Sequence, residues 1–207
     1  MVFARLMVVL PAAALLLYGC LPGAKPPDLV ALYGLEYRLP VIPGTPSNQP
    51  IRIDRFSVAQ TYNSKAMIYR SEAYRLDQYN YDQWRTNPGD MATDYLLRDF
   101  RTCGLFEAVF SYRQPEETRF MVEGGVEELV QTREKDGWKV ALSLLVTLFD
   151  EQKQDIAQKI VFQKRYRNVQ PITDRSAESF ARGASEAMAK ISEDMIKDVY
   201  KAVATYR

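Results

Sequence analysis

Trp138, Val140, Leu142, Leu144, Val146 and Leu148 alternate without a miss, and no other feature narrows the fold of this 207-residue chain so far. Successive side chains of a strand point to opposite faces, so this segment is a strand with one unbroken apolar face that another element must cover. A cover is legible at the C-terminal end. From about Ser176 to Tyr206, Phe180, Ala184, Met188, Ile191, Met195, Val199 and Val203 recur every three or four residues, the mark of a helix with one apolar stripe.

A second helix opens at Asn87-Pro88, where Asn suits the cap, Pro the first turn and Asp90 the positive end of the helix dipole. Met91, Ala92, Tyr95, Leu96, Phe100 and Cys103 form its apolar face, and Gly104 stops it. Shorter strand patterns surround these elements. Ile51 to Asp54 alternates and changes phase near Arg55, while Ala66–Tyr69 and Tyr74–Tyr79 predict a hairpin across Arg70 to Ala73. Phe106, Ala108, Phe110 and Tyr112 fall on one strand face, as do Phe120, Val122 and Val126, with Gly124-Gly125 marking a bulge or a close backbone approach. Asp136-Gly137 is a tight turn, and Gln158 to Asn168 is a further strand. Hairpin-length connections predict a mainly antiparallel sheet covered by two amphipathic helices, a two-layer α+β sandwich.

The N-terminus has a different character. Arg5 precedes an apolar run from Leu6 to Leu17, and Tyr18-Gly19-Cys20 follows. About 12 apolar residues reach only about 18 Å as a helix, short of the roughly 30 Å hydrocarbon core, so residues 1–19 are expected to be a cleaved signal peptide. Leu17-Tyr-Gly-Cys20 resembles a bacterial lipobox, in which the cysteine is acylated and becomes the new N-terminus. The alternative is an ordinary signal peptide with a coincidental cysteine. Leu21 in place of Asp after Cys20 favours the outer membrane by resemblance to lipoprotein sorting. Residues 20–50 hold seven of the eleven prolines and predict a stiff tether, leaving 51–207 as a single α+β domain.

Charge and residue content exclude several kinds of chemistry. Loss of Arg5 with the signal leaves 26 basic and 26 acidic residues, with no basic surplus to neutralise nucleic-acid phosphate. The chain contains no histidine, which removes His-dependent triads and the commonest zinc ligand. Glu116-Glu117, Glu127-Glu128 and Asp150-Glu151 sit at expected turns or strand ends and are read as solvated charges. No enzyme, metal or cofactor is expected. Cys103 has no partner if Cys20 carries lipid, and is either a buried small hydrophobe or a redox-active thiol.

Aromatic crowding supplies the candidate binding site. Tyr69, Tyr74, Tyr79, Tyr81 and Trp84 lie among Arg70, Arg75 and Arg85, and Tyr, Trp and Arg are the side chains enriched at binding hot spots. Tyr79, Tyr81, Trp84 and Arg85 are the expected partner- or cargo-binding residues, with core packing as the competing role for each.

Ile51-Arg-Ile-Asp-Arg-Phe56, Met67-Ile-Tyr-Arg70, Tyr79-Asn-Tyr81 with Trp84 and Asn87-Pro88, Leu96-Leu-Arg98 and Gly104-Leu-Phe106 together resemble the ABC-type transport auxiliary lipoproteins, the PqiC-like family. Tyr37-Arg-Leu-Pro40, soon after the lipobox, is similar to the same pattern. The resemblance implies a non-catalytic lipoprotein at the outer membrane, its body in the periplasm. Its implied partners are an MCE-type substrate-binding protein and that protein's ABC permease and ATPase, which move phospholipid or other hydrophobic molecules across the envelope. Homo-oligomers stay open. An assembly or chaperone lipoprotein for an outer-membrane complex is the competing reading, and a histidine-free periplasmic hydrolase a more distant one.

Overall fold

The structure is a computed structural model that describes residues 29–114 and 116–205. The expected signal peptide and the expected acylation site, Cys20, lie outside the described residues. The elements run β1 (Ala31–Tyr33), β2 (Ile51–Ile53), β3 (Ser57–Val58), a 3-10 turn (Gln60–Tyr62), β4 (Ala66–Glu72), β5 (Arg75–Trp84), α1 (Pro88–Thr102), β6 (Val109–Ser111), β7 (Phe120–Glu134), β8 (Gly137–Asp150), α2 (Ile156–Lys159), β9 (Ile160–Ile172) and α3 (Ala177–Ala204).

Strand β7 is the spine of the sheet. One edge pairs along its length with β8, antiparallel, and β8 pairs in turn with β9. The other edge receives three short strands end to end: β2 beside Phe120–Val122, β3 beside Gly125-Val126 and β4 beside Gln131-Thr132, all parallel to β7. Beyond them lie β6, parallel to β2, and β5, antiparallel to β4, with β1 parallel to β5 at the margin. The sheet is therefore mixed, which corrects the mainly antiparallel expectation while keeping the α+β class. The cause is the passage through α1 between β5 and β7, which brings the chain back in the sense of β2, β3 and β4.

Local capping places the helices as the residues require. Asn87 Oδ1 accepts from the Gly89 amide at 2.9 Å, with Pro88 in the first turn, and Gly104 takes the left-handed φ of +69° just past the helix. Ser176 Oγ accepts from the Ser179 amide at 3.1 Å to start α3. Helix α3 lays its apolar face on β8 and β9, while α1 packs on β2, β3, β6 and β7; Val140, Leu142, Leu144, Val146 and Leu148 are buried in the core they share. A smaller cluster of Tyr62, Val130 and Ala141 forms a second buried patch. Short α2 is a third helix beyond the two expected.

Several strand boundaries differ from the sequence reading. The β4–β5 turn lies at Ala73-Tyr74, with Tyr74 at φ 69°. Only Val109–Ser111 of the expected strand from Phe106 is regular, because Phe106 instead bridges to Ser47 and stacks on Phe100 at 5.5 Å between ring centroids. At Gly124 a Cβ would stand 2.6 Å from a ring carbon of Phe56 and 2.7 Å from the Leu145 carbonyl oxygen. Of the two roles foreseen for the Gly pair, this is the close approach; the register slips instead between Val126 and Glu128.

The largest departure concerns the tether. From Ala31 on, the proline-rich segment belongs to the body: β1 is a sheet strand, and Leu35 and Ile42 are buried in the main core. Proline spacing obscures this, since a segment that pairs through only three residues carries almost no periodicity.

Candidate interaction surface

The four residues expected to bind a partner separate into three environments. Trp84 is 1% exposed and meets Phe180 of α3 edge-on, ring centroids 5.0 Å apart at 75°. It is a packing residue and presents nothing to a partner, which corrects the expectation for that position. Tyr79 is half-buried, its hydroxyl 2.7 Å from Gln131 Oε1 and 3.0 Å from the Arg175 carbonyl oxygen, and burial pushes its pKa up to about 12. Tyr81, 53% exposed, and Arg85 are open to solvent.

Tyr81 does not stand alone. Ala31, Leu32 and Tyr33 of β1 lie opposite Asp82, Gln83 and Trp84 of β5. Tyr33 packs on the main core beside Trp84, so the alternation sends Leu32 and Gln83 to the other face, the face of Tyr81. Leu32 is 60% exposed, and the preceding Val30 and Leu29 are 46% and 90% exposed. At the end of this patch stands an exposed cation, Arg85, whose amide donates to the Tyr33 carbonyl. Nearby Asp82 is engaged with the Tyr33 hydroxyl, whose pKa rises through burial first and Asp82 second. Sequence reading missed Leu29, Val30 and Leu32 because it assigned them to the tether.

A buried polar cluster also went unforeseen. Asp99 on α1 accepts from the Tyr37 hydroxyl at 2.7 Å, from Ser192 Oγ at 2.6 Å and from Arg98 Nε at 2.8 Å. The Arg98 guanidinium sits over both the Tyr37 and Tyr95 rings, 4.5 and 4.6 Å from their centroids, and the Tyr95 hydroxyl donates to the Leu35 carbonyl. Burial raises the Tyr37 pKa and Asp99 adds to the shift. This cluster pins the N-terminal segment to both long helices. Its signal in the sequence was Asp99 itself, a charge three residues after Leu96 and four before Cys103 on the apolar stripe.

Of the carboxylates singled out from the sequence, Glu127, Glu128, Asp150 and Glu151 have ionic partners. Arg165 takes Glu127 through two bonds of 2.5 and 2.9 Å, Arg167 lies 3.2 Å from Glu128, Arg119 grips Asp150 at 2.9 and 3.1 Å, and Lys159 pairs with Glu151 at 2.8 Å. Among the described residues no group of carboxylates and thiols is placed to hold a metal ion. The Cys103 thiol is half-buried with its pKa raised by burial, and Sγ lies 3.1 Å from the Phe100 carbonyl, as a packing cysteine should. An open cavity of about 530 Å³ is lined by Arg52, Glu117, Thr118, Arg119, Glu151 and Gln152.

Residues 33–196 match the family described as ABC-type transport auxiliary lipoprotein component. The chain belongs to that family. No curated protein sequence matches it. Among solved structures, a protein from Xanthomonas campestris assigned to DUF330 superposes with a TM-score of 0.75 at 15% identity, covering 84% of this chain and 96% of its own. An uncharacterized protein gives 0.62 at 12% identity over 82% and 99%, and a hypothetical protein from Chlamydia trachomatis 0.51 at 11% over 77% and 99%. At such identities these likenesses establish the fold alone. The family match begins at Tyr33 and so includes part of the segment that sequence reading had treated as tether. In this auxiliary lipoprotein no helix among the described residues is long and apolar enough to cross a membrane.

Proposed function

We propose that this auxiliary lipoprotein is a non-catalytic component of an MCE-type ABC transport system, held by acyl chains on Cys20 at the outer membrane with its body in the periplasm. Its system moves phospholipid or other hydrophobic molecules. The observation that carries the reading is the family match over residues 33–196. The pairing of Glu127, Glu128, Asp150 and Glu151 with Arg and Lys agrees with it, because a general acid or base needs a proton-exchanging group free to meet a substrate. The helix–sheet interior is also closely packed: the apolar cavity among Leu35, Met91, Leu129, Leu142 and Met188 holds only about 10 Å³. Docking to the partner, rather than storage of cargo in that interior, is the role this body fits.

The test is purification of the full-length tagged lipoprotein from its native membranes, with fractionation of inner and outer membranes alongside. Recovery of an MCE-type protein, with the lipoprotein in outer-membrane fractions, is the expected result. Recovery of a β-barrel or secretin in its place would overturn the transport reading in favour of assembly.

A further inference from the structure

Eight residues separate Cys20 from Leu29, the first described residue. Fully extended at about 3.3–3.6 Å per residue, the nine steps from Cys20 to Leu29 reach about 30 Å. A folded chain of this size has a radius of gyration of about 16 Å, so the body is about 40 Å across. The leash is therefore shorter than the body is wide, and the side where the chain leaves the body must lie near the bilayer.

That side carries the exposed apolar patch of Leu29, Val30, Leu32 and Tyr81, with Arg85 at its end. We infer that this β1–β5 margin rests on the lipid surface, with Leu32 and Tyr81 at headgroup level and Arg85 against anionic headgroups. The inference deepens the proposed function and rests on its reading of Cys20 as the acylated residue. Tyrosine with aliphatic side chains suits the boundary between apolar and wet layers, and each basic residue near an anionic surface adds attraction that salt screens. Acyl anchors hold the protein at the bilayer; the patch selects which face it presents there. A second copy packed on this patch about a two-fold axis would place each Arg85 near its own counterpart, which disfavours that occupant.

The experiment uses the acylated full chain in vesicles of phosphatidylethanolamine and phosphatidylglycerol, in a Cys103→Ala background. A nitroxide is placed either at Gln83→Cys, on the patch face, or at Gln154→Cys, beyond β8 on the far side of the sheet. Collision with a water-soluble nickel complex should fall at least threefold at position 83 on vesicles relative to the secreted Cys20→Ala form, and stay unchanged at 154. Leu29→Ser with Leu32→Ser should restore collision at 83 while the protein still floats with the vesicles. Flotation with equal collision rates at 83 and 154 would overturn the docking and leave the anchor standing. Protection of 83 in the Cys20→Ala form as its concentration rises would assign the patch to a second copy. Failure of the unsubstituted protein to float would remove the anchor and the docking together.

Discussion

Ser192 on α3 donates a 2.6 Å hydrogen bond to Asp99 on α1, and both side chains are buried between the helices. The same carboxylate holds Tyr37 and Arg98, so one acid ties three segments of the chain together. Replacing it with Leu strands a buried hydroxyl on each side and leaves the Arg98 guanidinium without its counter-charge. Each buried polar group left unsatisfied costs about 1–3 kcal/mol, and the Arg98 side chain, 37% exposed, recovers part of its loss from water. We expect Asp99→Leu to lower the urea unfolding free energy by about that amount for each stranded hydroxyl. Asp99→Asn keeps the shape and some of the hydrogen bonds and should cost less than half as much. Equal stability of Asp99→Leu and the unsubstituted protein would show that the cluster contributes nothing net.

Trp84 and its neighbours separate packing from contact. Trp84→Ala removes a side chain seated edge-on against Phe180, and aromatic truncation in a core costs about 3–5 kcal/mol. Thermal melts should show a large fall for this variant. Tyr81→Ala and Arg85→Ala, at exposed positions, should stay within about 0.5 kcal/mol of the unsubstituted protein while weakening contact with whatever surface the margin meets. A Trp84→Ala melt within a degree of the unsubstituted protein would contradict the packing role.

Acid should weaken the β7–β8 end of the sheet through Asp150. Its side chain is 1% exposed, and the hydrogen bonds from Arg119 hold its pKa below the ordinary carboxylate range. A carboxyl with a depressed folded pKa stabilises fully above its unfolded pKa, and that contribution fades as pH falls through the folded value. Asp150→Asn should therefore be less stable than the unsubstituted protein at pH 7, with the gap narrowing as pH drops below about 4. Denaturant titrations of both proteins at several pH values measure it, and a gap that stays constant into acid would exclude the Arg119 pairing as its source.

Gly124 offers a steric test. A methyl group there would press on the Phe56 ring and the Leu145 carbonyl, and overpacking of this kind costs about 1–3 kcal/mol. Gly125→Ala meets chiefly the Ser57 hydroxyl, the end of a small side chain, and should cost less. Chemical denaturation of the two variants gives the order, and a reversed order would mean that the Ser57 side chain yields less readily than the Phe56 ring.

How far the sequence reveals this fold depends on how local each instruction is. Strand β8 and helices α1 and α3 are written in periodicity and caps that need no knowledge of the rest of the chain, and all three stand where the pattern puts them. Parallel pairing is not local: nothing in Ile51–Ile53 names Phe120–Val122 as its partner, so the mixed sheet could not be read off. Trp84 misled because composition gives a residue's aptitude for binding but not its direction. Its inward aim follows from the register of β5 against β1, which depends on recognising a three-residue strand among prolines. Tyr81 and Arg85 are exposed where a contact surface needs them, yet the apolar residues beside Tyr81 come from that same unrecognised strand.

The N-terminal segment is fastened by residues near the other end of the chain. The Glu36 amide donates to Ser185 Oγ, 149 positions later, and the Tyr200 hydroxyl donates to the Thr45 carbonyl across 155 positions. Chains are synthesised N-terminus first at about 5–20 residues per second, so Leu35 and Ile42 wait roughly 7–30 seconds for the helix that covers them. The part of the protein made earliest is thus among the last to be sealed, and a chain that ends prematurely within α3 leaves that seam open. A messenger truncated near its 3′ end would be expected to yield an anchored product whose apolar seam invites proteolysis or aggregation.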